Sequence, residues 1–300
     1  MQRRLEYVLV WTLVKLLGLP PRRVARAIGA LVGRIALALT PRLRGVGHRN
    51  LALAFPGKTA AERQQILRKL YRNLGWLLAE FCQMPRYTQG MANSFIRYEG
   101  LEHYLAARDR GKGVLVLTGH LGAWELSSFH HSLMGYPMSI VIRRLDNPLV
   151  DNLVNRIRCL HGNQVLHKDD FARGLLASMR RGETVGILMD TNMTPPQGSF
   201  VDFFGHPACT GSGLARVAMK TGAQVLPGFL LWEESTQQYV LRFGAPLSLA
   251  GTGDVEADAV ANTALFTKII EDYIRQYPDQ WLWVHRRWKT RPQGDAAIYT

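Results

Sequence analysis

The chain has 300 residues, of which 47% are hydrophobic and 20% are charged, a composition typical of a globular protein and unlike that of a disordered one. Its 37 lysines and arginines exceed its 23 aspartates and glutamates by 14 charges, which favours partners that carry negative charge. Cys82, Cys159 and Cys209 are far apart and odd in number. This argues against a disulfide framework or a zinc knuckle and indicates a reducing compartment.

The first forty residues contain two apolar segments with basic flanks. The stretch from Leu5 to Leu19 resembles a signal sequence, but it lacks a small-residue cleavage site and contains Glu6 and Lys15. It is also shorter than the roughly 20 residues that cross a bilayer comfortably. We therefore predict an uncleaved anchor that enters one leaflet, followed from Val24 to Leu39 by an amphipathic interfacial helix. Two ordinary packing helices are the alternative.

A basic, helix-like connector from Arg42 to Phe55 leads to a long helix predicted from Thr59 to Cys82. Leucines recur on one face of this helix, and Thr59 with Glu62 three residues later forms a capping box. The pattern divides the chain into a membrane-anchoring segment, residues 1–40, and a second domain, residues 41–300.

The stretch from Gly113 to Glu125, GVLVLTGHLGAWE, predicts a buried parallel-type strand followed by a helix. His120 would then stand at the carboxyl end of the strand, where open α/β sheets bind ligands. If His120 precedes the helix, Glu125 in or near the first turn can reach back to the imidazole. Such a pair could remove a proton from a hydroxyl nucleophile. The alternative is a surface histidine beside a glutamate that complements the helix dipole.

The central region alternates strands and helices, which predicts an α/β fold with a mostly parallel sheet flanked by helices. Polar groups follow several of the strands and could face one cleft: Arg143, Arg144 and Asp190, together with His120. The segment from Thr191 to Gly213, rich in Pro and Gly, predicts a long functional loop. The predicted strands are Met138 to Ile142, Gln164 to Leu166, Val185 to Met189, Val225 to Leu231 and Tyr239 to Phe243. The predicted helices are Asn147 to Leu160, Phe171 to Met179 and Leu214 to Lys220.

Five motifs occur in order along the chain. They are HxxxxE from His120, VIRRLDNPLVDNLVNRIRCLHG from Val141, GILMDTN around Asp190, the SFVDFFGHPACT segment and the closing WLWVHRRWKTRP. Over nearly the whole chain this set resembles the late acyltransferases of lipid A biosynthesis. That family comprises lauroyl and myristoyl transferases within the glycerolipid, or lysophospholipid, acyltransferase superfamily.

The resemblance implies a membrane-bound enzyme on the cytoplasmic face of the inner membrane, attached peripherally or by a single N-terminal anchor. It would take a fatty acyl chain from acyl carrier protein and transfer it to the hydroxyl of a 3-hydroxyacyl group on an anionic lipid A precursor. His120 would be the general base and Glu125 its partner. The substrate-binding residues would be Arg143, Arg144, Asp190, Arg286, Arg287 and Lys289. The family usually has Gln or His after the aspartate, where this chain has Thr191.

The chemistry of the residues agrees with this class. An acyl thioester is already activated, so the enzyme needs a base for the alcohol and hydrogen-bond donors for the oxyanion, and it needs no metal or other cofactor. Backbone amides of the turn after His120 and the side chain of Arg143 are candidate donors. His130 and His131 do not form a zinc motif with His120, because no HExxH is present. Trp281, Trp283 and Trp288 are expected to pack or to lie at a membrane interface.

Other functions are compatible with parts of the sequence. The basic HRRWKTR segment and an isoelectric point near 10.1 are found in nucleic-acid-binding proteins, but much of the excess charge lies beside apolar helices, so we expect no nucleic acid partner. A membrane-associated protein without catalysis is a second alternative. Within the enzyme class, the acceptor could be another lipid, such as an ornithine lipid, a glycolipid or a lysophospholipid.

Overall fold

The computed structural model describes residues 1–167 and 171–299. The helices in these ranges are α1 (Gln2–Gly18), α2 (Arg22–Leu39), α3 (Pro41–Ala54), α4 (Ala60–Gln83), α5 (Gln89–Asn93), α6 (Leu101–Asp109), α7 (Trp124–Leu133), α8 (Pro148–Arg158), α9 (Phe171–Arg180), α10 (Gly213–Thr221) and α11 (Val255–Gln276). The strands are β1 (Ile96–Glu99), β2 (Val114–Thr118), β3 (Ser139–Ile142), β4 (Gln164–His167), β5 (Thr184–Leu188), β6 (Gly198–Phe203), β7 (His206–Gly211), β8 (Gln224–Glu233) and β9 (Gln238–Phe243). Short 3₁₀ turns cover Met84–Arg86 and Pro278–Gln280.

Seven strands form one sheet in the order β1-β9-β8-β2-β5-β3-β4. The five strands from β8 to β4 run parallel, while β9 pairs antiparallel with β8 and parallel with β1. The predicted α/β fold with a mostly parallel, helix-flanked sheet is therefore confirmed. The strand β2, which leads to His120, lies at the centre of the sheet, with β8 on one side and β5 on the other.

Both faces of β2 are buried, which explains its continuous apolar sequence. Successive side chains of a strand point to opposite faces. Leu115 and Leu117 belong to one hydrophobic core, and Val114 and Val116 belong to the other. Helices thus cover the sheet on both sides.

The predicted loop from Thr191 to Gly213 is wrong in its second half. There β6 and β7 form a two-stranded antiparallel hairpin, in which Phe203 pairs with His206. Phe203 and Phe204 are buried in the hydrophobic core, so the hairpin packs against the domain. The strand β1 and the helices α6 and α11 are further elements that the sequence patterns did not predict.

The predicted long helix is confirmed as α4, and its capping box is present. The hydroxyl of Thr59 accepts from the Glu62 amide at 3.2 Å, and the Glu62 carboxylate accepts from the Thr59 amide at 2.7 Å. These two hydrogen bonds satisfy amides that have no partner within the helix, which fixes the start of α4.

The helix α2 packs directly on α4 through glycines. A Cβ atom on Gly29 would lie 2.2 Å from the carbonyl oxygen of Gly75, and a Cβ atom on Gly75 would lie 2.0 Å from that of Gly29. The two helix backbones are in contact there, and Gly33 is similarly close to the carbonyl of Tyr71. Any larger residue at these positions would push α2 away from α4.

Charged and aromatic side chains also attach α2 to the domain. Arg22 donates to the fully buried Glu80 carboxylate, with Nη2 and Oε1 2.6 Å apart. The guanidinium of Arg26 lies between two indole rings, 4.0 Å from the centroid of Trp76 and 4.1 Å from that of Trp232. One face of α2 is therefore fixed to the domain. The assignment of residues 1–40 as a separate anchoring unit stays a prediction.

The opposite faces of α1 and α2 leave large apolar side chains exposed. No single helix within residues 1–167 and 171–299 is long and apolar enough to cross a membrane, whereas α2 and α3, bent by 90° between them, together have that length and composition. The exposed side chains include Leu5, Val8, Leu9, Leu16 and Leu19 on or next to α1, and Val24, Ile28, Leu31, Ile35 and Leu39 on α2.

Candidate active site

A turn of residues 119–123 joins β2 to α7 and carries His120. Gly122 has a φ of +70°, a conformation that favours glycine. A Cβ atom at this position would lie only 2.1 Å from the carbonyl oxygen of Leu230 on β8. Glycine is therefore needed for the turn to pass close to β8 and to keep His120 at the end of its strand.

His120 and Asp190 form a hydrogen-bonded pair at the carboxyl ends of neighbouring strands. In the register of β2 and β5, Thr118 pairs with Leu188, so His120 and Asp190, each two residues further on, are level with one another. Nδ1 of His120 lies 2.9 Å from Oδ1 of Asp190, and the His120 amide donates to Oδ2 at 2.7 Å. The sequence placed both residues at strand ends, and the strand register brings them together.

The environment of this pair sets its protonation. Burial by itself would raise the pKa of the Asp190 carboxyl, but the His120 imidazole and hydrogen bonds from His120 and Trp281 lower it to about 2. For His120, burial lowers the pKa of the imidazole, and the nearby Asp190 carboxylate outweighs that effect and raises the pKa above its ordinary value. Because an ionised carboxylate can only accept, Nδ1 of His120 carries the proton, and in the neutral imidazole Nε2 keeps its lone pair.

Glu125 is not the hydrogen-bond partner of His120, contrary to the prediction. The hydrogen-bond partner of the His120 imidazole is Asp190, whereas the Glu125 carboxylate accepts from Nε of Arg158 at 2.8 Å and also from Nη2 of Arg158. Glu125 lies in the first turn of α7 and points toward α8, which carries Arg158. Its negative charge still contributes to the raised pKa of His120, so Glu125 acts on the imidazole through space.

Arg158 is a site residue that the sequence patterns did not identify. It is the last residue of α8 and is largely buried, with 14% of its side chain exposed. Arg156, two residues earlier, is exposed. Nothing in the sequence distinguishes the two arginines, because both lie in the same basic end of an amphipathic helix.

An apolar cavity opens beside the Glu125–Arg158 ion pair. It contains about 510 Å³ of empty space, including solvent at its mouth. Trp124 also lines it, and its indole ring lies 5.3 Å from the His120 imidazole in an edge-to-face arrangement. Trp124 therefore connects the cavity, which is lined by residues of the sheet, with the His120 imidazole. Its apolar lining includes Val116, Met138, Ile140, Leu188 and the two glycines Gly186 and Gly228.

The arginines that follow β3 do not join this site. Arg143 has 81% of its side chain exposed and bonds to Asp146 at 3.2 Å, and neither Arg143 nor its exposed neighbour Arg144 lines the cavity. The structure therefore shows Arg143 in solvent and paired with Asp146, and its role in substrate binding stays a prediction. The physical reason for this exposure is that the chain leaves the sheet after Ile142 and carries both side chains into solvent.

The basic residues of the carboxyl-terminal segment are divided between the surface and the core. Arg286 and Lys289 are exposed, as expected of residues that bind a substrate. Arg287 is fully buried and donates to the carbonyl of Cys209 and to the hydroxyl of Thr210, which corrects its predicted role in phosphate binding. Burial lowers the pKa of the Arg287 guanidinium to about 10.

Asn192 links the segment after Asp190 to the carboxyl-terminal segment. Its backbone amide donates to Nε2 of His285 at 3.0 Å, and its side chain exchanges two hydrogen bonds of 2.9 Å with Thr290. These contacts give Asn192 a structural role.

Three amides of the turn after β2 already have acceptors and are not free oxyanion donors. The His120 amide donates to Asp190, the Gly122 amide to the carbonyl of Gln280 at 3.0 Å, and the Ala123 amide to the carbonyl of Leu230 at 2.8 Å. These three amides are used to hold the turn against its neighbours.

The carboxyl-terminal segment also contacts the His120–Asp190 pair directly. Nε1 of Trp281 donates to Oδ2 of Asp190 at 2.7 Å, and the amide of Leu282 donates to the carbonyl of His120 at 3.0 Å. Trp281 was expected only to pack or to lie at a membrane interface. Its hydrogen bond to Asp190 depends on a contact between residues 91 positions apart, for which no local pattern exists.

The chain is similar in sequence to bacterial lipid A biosynthesis acyltransferases. The sequence model of the bacterial lipid A biosynthesis acyltransferases matches residues 2–290. The lipid A biosynthesis palmitoleoyltransferase of Escherichia coli (strain K12) is 28% identical over 293 residues, which cover 97% of this chain and 92% of that protein. The lauroyltransferase of the same organism is 28% identical over 291 residues, with coverages of 97% and 92%. The myristoyltransferase is 24% identical over 283 residues, with coverages of 94% and 86%.

Proposed function

Because the chain belongs to the bacterial lipid A biosynthesis acyltransferase family, we propose that this enzyme takes a fatty acyl chain from acyl carrier protein and transfers it to a hydroxyl group of a lipid A precursor. The acceptor is the hydroxyl of a 3-hydroxyacyl group, and the reaction takes place at the cytoplasmic face of the inner membrane. The observation that carries the proposal is the hydrogen-bonded pair of His120 and Asp190 beside an apolar cavity.

His120 is the general base of the proposed reaction. Its Nε2 takes the proton of the acceptor hydroxyl while the oxygen forms a bond to the thioester carbonyl carbon. Asp190 stabilises the resulting imidazolium through Nδ1. When the tetrahedral intermediate collapses, the carbon–sulfur bond breaks and the imidazolium returns its proton to the thiolate of the carrier. The reaction requires no metal and no other cofactor, because the thioester is already activated.

The apolar cavity is proposed to hold the transferred acyl chain. Most of its lining is apolar, with Thr118, Ser127, Ser128 and the Glu125–Arg158 ion pair as its polar members. Burial of each methylene group against the apolar part contributes about 0.8 kcal/mol. The Glu125–Arg158 ion pair lies at its edge, where the polar thioester would be placed. Trp124, which lines the cavity and lies beside the His120 imidazole, would then bring the reactive carbonyl toward the histidine.

Charge supports the two anionic substrates. The net charge of +14 favours the approach of an acidic carrier protein and of a phosphorylated glycolipid to the same enzyme. Exposed arginines and lysines offer contacts to phosphate without loss of an internal ion pair. The proposed contacts are Arg286 and Lys289 of the carboxyl-terminal segment, and Arg144 after β3, which are all exposed.

The exposed apolar faces of α1 and α2 are proposed to bind the membrane. Leu9 and Leu16 on α1 and Ile28 and Leu31 on α2 are at least 40% exposed, although both helices pack on the domain with their other faces. A helix of this kind lies in the interface with its apolar side in the lipid. Flanking arginines, such as Arg3 and Arg23, would contact anionic head groups.

The experiment that tests the proposal is expression in a bacterial strain that lacks its own late acyltransferases, followed by mass spectrometry of lipid A. We expect a gain of one acyl mass with the unchanged chain and none with His120→Ala. The matched control is His206→Ala, which changes a histidine on the hairpin and should retain the gain. If the unchanged chain gives no gain, or if His120→Ala retains it, the proposed reaction or its base is wrong.

A further inference from the structure

The segment Gln280–Leu282 is bonded to both sides of the turn that carries His120. The Gly122 amide donates to the carbonyl of Gln280, and the Leu282 amide donates to the carbonyl of His120, each at 3.0 Å. Leu121 and Trp281 thereby form an isolated antiparallel bridge. The backbone around His120 is thus held by a segment about 160 residues away in sequence.

The side chain of Trp281 extends this contact to Asp190. Its indole N–H donates to Oδ2 of Asp190 at 2.7 Å, and Oδ1 of the same carboxylate lies 2.9 Å from Nδ1 of His120. The carboxylate is held by these two groups and by the His120 amide, which donates to Oδ2 at 2.7 Å. Both Trp281 and Asp190 are almost fully buried, so water does not readily replace this donor.

Packing fixes the direction of the indole. Its ring lies edge-to-face against Trp283, with 4.5 Å between centroids, and against Phe203 of the hairpin, with 5.5 Å. The carboxyl-terminal segment and the β6–β7 hairpin together determine where the N–H points. A ring of the same shape without the N–H would keep this packing and lose only the hydrogen bond.

We propose that Trp281 is a positioning residue of the acyl transfer, which orients the Asp190 carboxylate so that His120 is held in the tautomer with its proton on Nδ1. This inference rests on the proposed role of His120 as the base. The hydrogen bond at one ring nitrogen determines which nitrogen carries the proton. If the carboxylate turns away, the proton can move to Nε2, the atom that must accept the proton of the hydroxyl.

The test replaces Trp281 by 3-benzothienylalanine, a tryptophan isostere in which sulfur takes the place of the indole N–H. We expect kcat to fall about tenfold or more, because a hydrogen bond to a charged group is lost from the oriented pair. The KM for the acyl carrier protein substrate should stay within about twofold, because Trp281 touches no substrate in the proposed reaction. Trp281→Phe is a genetically encoded change that also removes the hydrogen bond, but it leaves a cavity and should lower thermal stability as well.

A spectroscopic readout separates positioning from a merely structural role. In protein with ¹⁵N-labelled histidine, we expect Nδ1 of His120 to give the signal of a protonated nitrogen and Nε2 that of an unprotonated one. The isostere at Trp281 should move the Nε2 signal toward the protonated form at the same pH. His120→Gln identifies the His120 signals by their absence.

The matched control is the same isostere at Trp283. Trp283 is also fully buried, and its indole N–H donates to the carbonyl of Pro278 at 2.6 Å, not to the catalytic pair. This variant should lose thermal stability without a change in the His120 signals or in kcat. If the isostere at Trp281 leaves the His120 signals unchanged, or if both variants lower kcat equally, the positioning role is overturned.

The spectrum also keeps this inference distinct from the proposed function. It reports the tautomer of His120 whether or not the purified protein transfers an acyl chain. A protein with the expected tautomer shift and no transfer to a lipid A precursor would retain the role of Trp281 and contradict the proposed reaction. The opposite result would retain the reaction and contradict the role of Trp281.

Discussion

Two histidine sites lie ten residues apart on one strand–turn–helix unit, and their environments are opposite. His120, before α7, bonds to an ionised carboxylate that raises the pKa of its imidazole. His130 and His131, near the end of α7, lie among the rings of Tyr98 and Tyr104. Burial lowers the pKa of His130 to about 4 and that of His131 to about 3.

The pKa values of these histidines differ because their imidazoles have different hydrogen-bond partners. Within the described residues, neither ring nitrogen of His130 has a hydrogen-bond partner, and His131 has one, between Nδ1 and the Tyr98 hydroxyl at 2.9 Å. No carboxylate is bonded to either ring in that part of the structure, so desolvation acts without compensation and keeps both rings neutral. In these two buried environments, the histidine that can accept a proton near neutral pH is the one beside a carboxylate that stabilises its charged form.

Removal of the negative charge of Asp190 should have the largest effect on kcat. Asp190→Asn keeps the size of the side chain and removes its charge, so the imidazolium formed during transfer loses its stabilising partner. We expect kcat to fall by about 10³- to 10⁴-fold, by analogy with other histidine–carboxylate pairs. Asp272→Asn, a change in a surface aspartate of α11 that pairs with Lys268, is the control and should stay within twofold. A loss below tenfold in an assay with acyl carrier protein substrate would show that Asp190 does not assist His120.

His130 and His131, which are neutral in the folded protein, should make its stability sensitive to acid. In the unfolded chain both histidines bind protons near their ordinary pKa of 6.5, whereas in the folded chain they do so only near 4 and 3. The free energy of unfolding should therefore fall as the pH falls below about 6.5, with a contribution of up to about 2.7 kcal/mol per pH unit from two protons. Chemical unfolding of the detergent-solubilised protein at several pH values measures this slope.

Replacement of both His130 and His131 by leucine should remove this contribution to the pH dependence of the free energy of unfolding. Replacement of one of them should remove about half of it. His120 should have the opposite effect on the pH dependence of the free energy of unfolding. Its raised pKa in the folded state contributes stability that is complete below pH 6.5 and is lost as the pH rises through the folded-state value. If the double leucine variant of His130 and His131 loses stability with acid as steeply as the unchanged chain, the two rings are not held neutral.

The activity should depend on pH through His120. The base must be neutral, so kcat/KM should fall as the pH decreases through a midpoint above 6.5, and by about tenfold per pH unit well below it. Asp190 and Glu125 raise this midpoint, and the Arg287 guanidinium interacts with the Asp190 carboxylate.

Glu125→Gln tests whether Glu125 acts on His120 by its charge. The loss of the negative charge should move the acid limb of kcat/KM to lower pH, and Arg158 loses its partner in the same variant. A midpoint that stays in place or moves to higher pH would contradict a through-space effect of Glu125 on the imidazole. Lys268→Gln, a surface change on α11, is the charge-altering control.

The smallest effect is expected from loss of the hydrogen bond between Tyr98 and His131. Tyr98→Phe removes the hydroxyl that bonds to His131 and leaves the ring in place. We expect a loss of about 1 kcal/mol in the free energy of unfolding and no change in kcat. A change in kcat similar to that of Asp190→Asn would mean that the two histidine sites are coupled, and the contrast between them would fail.

Much of the fold was predictable because its signals are local. The apolar run of β2 with glycines at both ends, the Thr59 capping box and the alternation of strands and helices follow from short-range preferences. The hairpin within residues 191–213 was missed because its prolines and glycines are equally typical of a loop. The pattern of five motifs was sufficient for the family, since it needs only residue order and spacing.

The sequence by itself determined that His120 stands at a strand end, that Asp190 stands at another, and that the chain is an α/β acyltransferase. Tertiary structure alone decided that Asp190 is the partner of His120, that Glu125 pairs with Arg158, and that Arg287 is buried while Arg143 is exposed. The physical reason is that spacing fixes the direction of a side chain only within one element. The register between strands and the packing of a distant segment such as Trp281 fix which side chains meet.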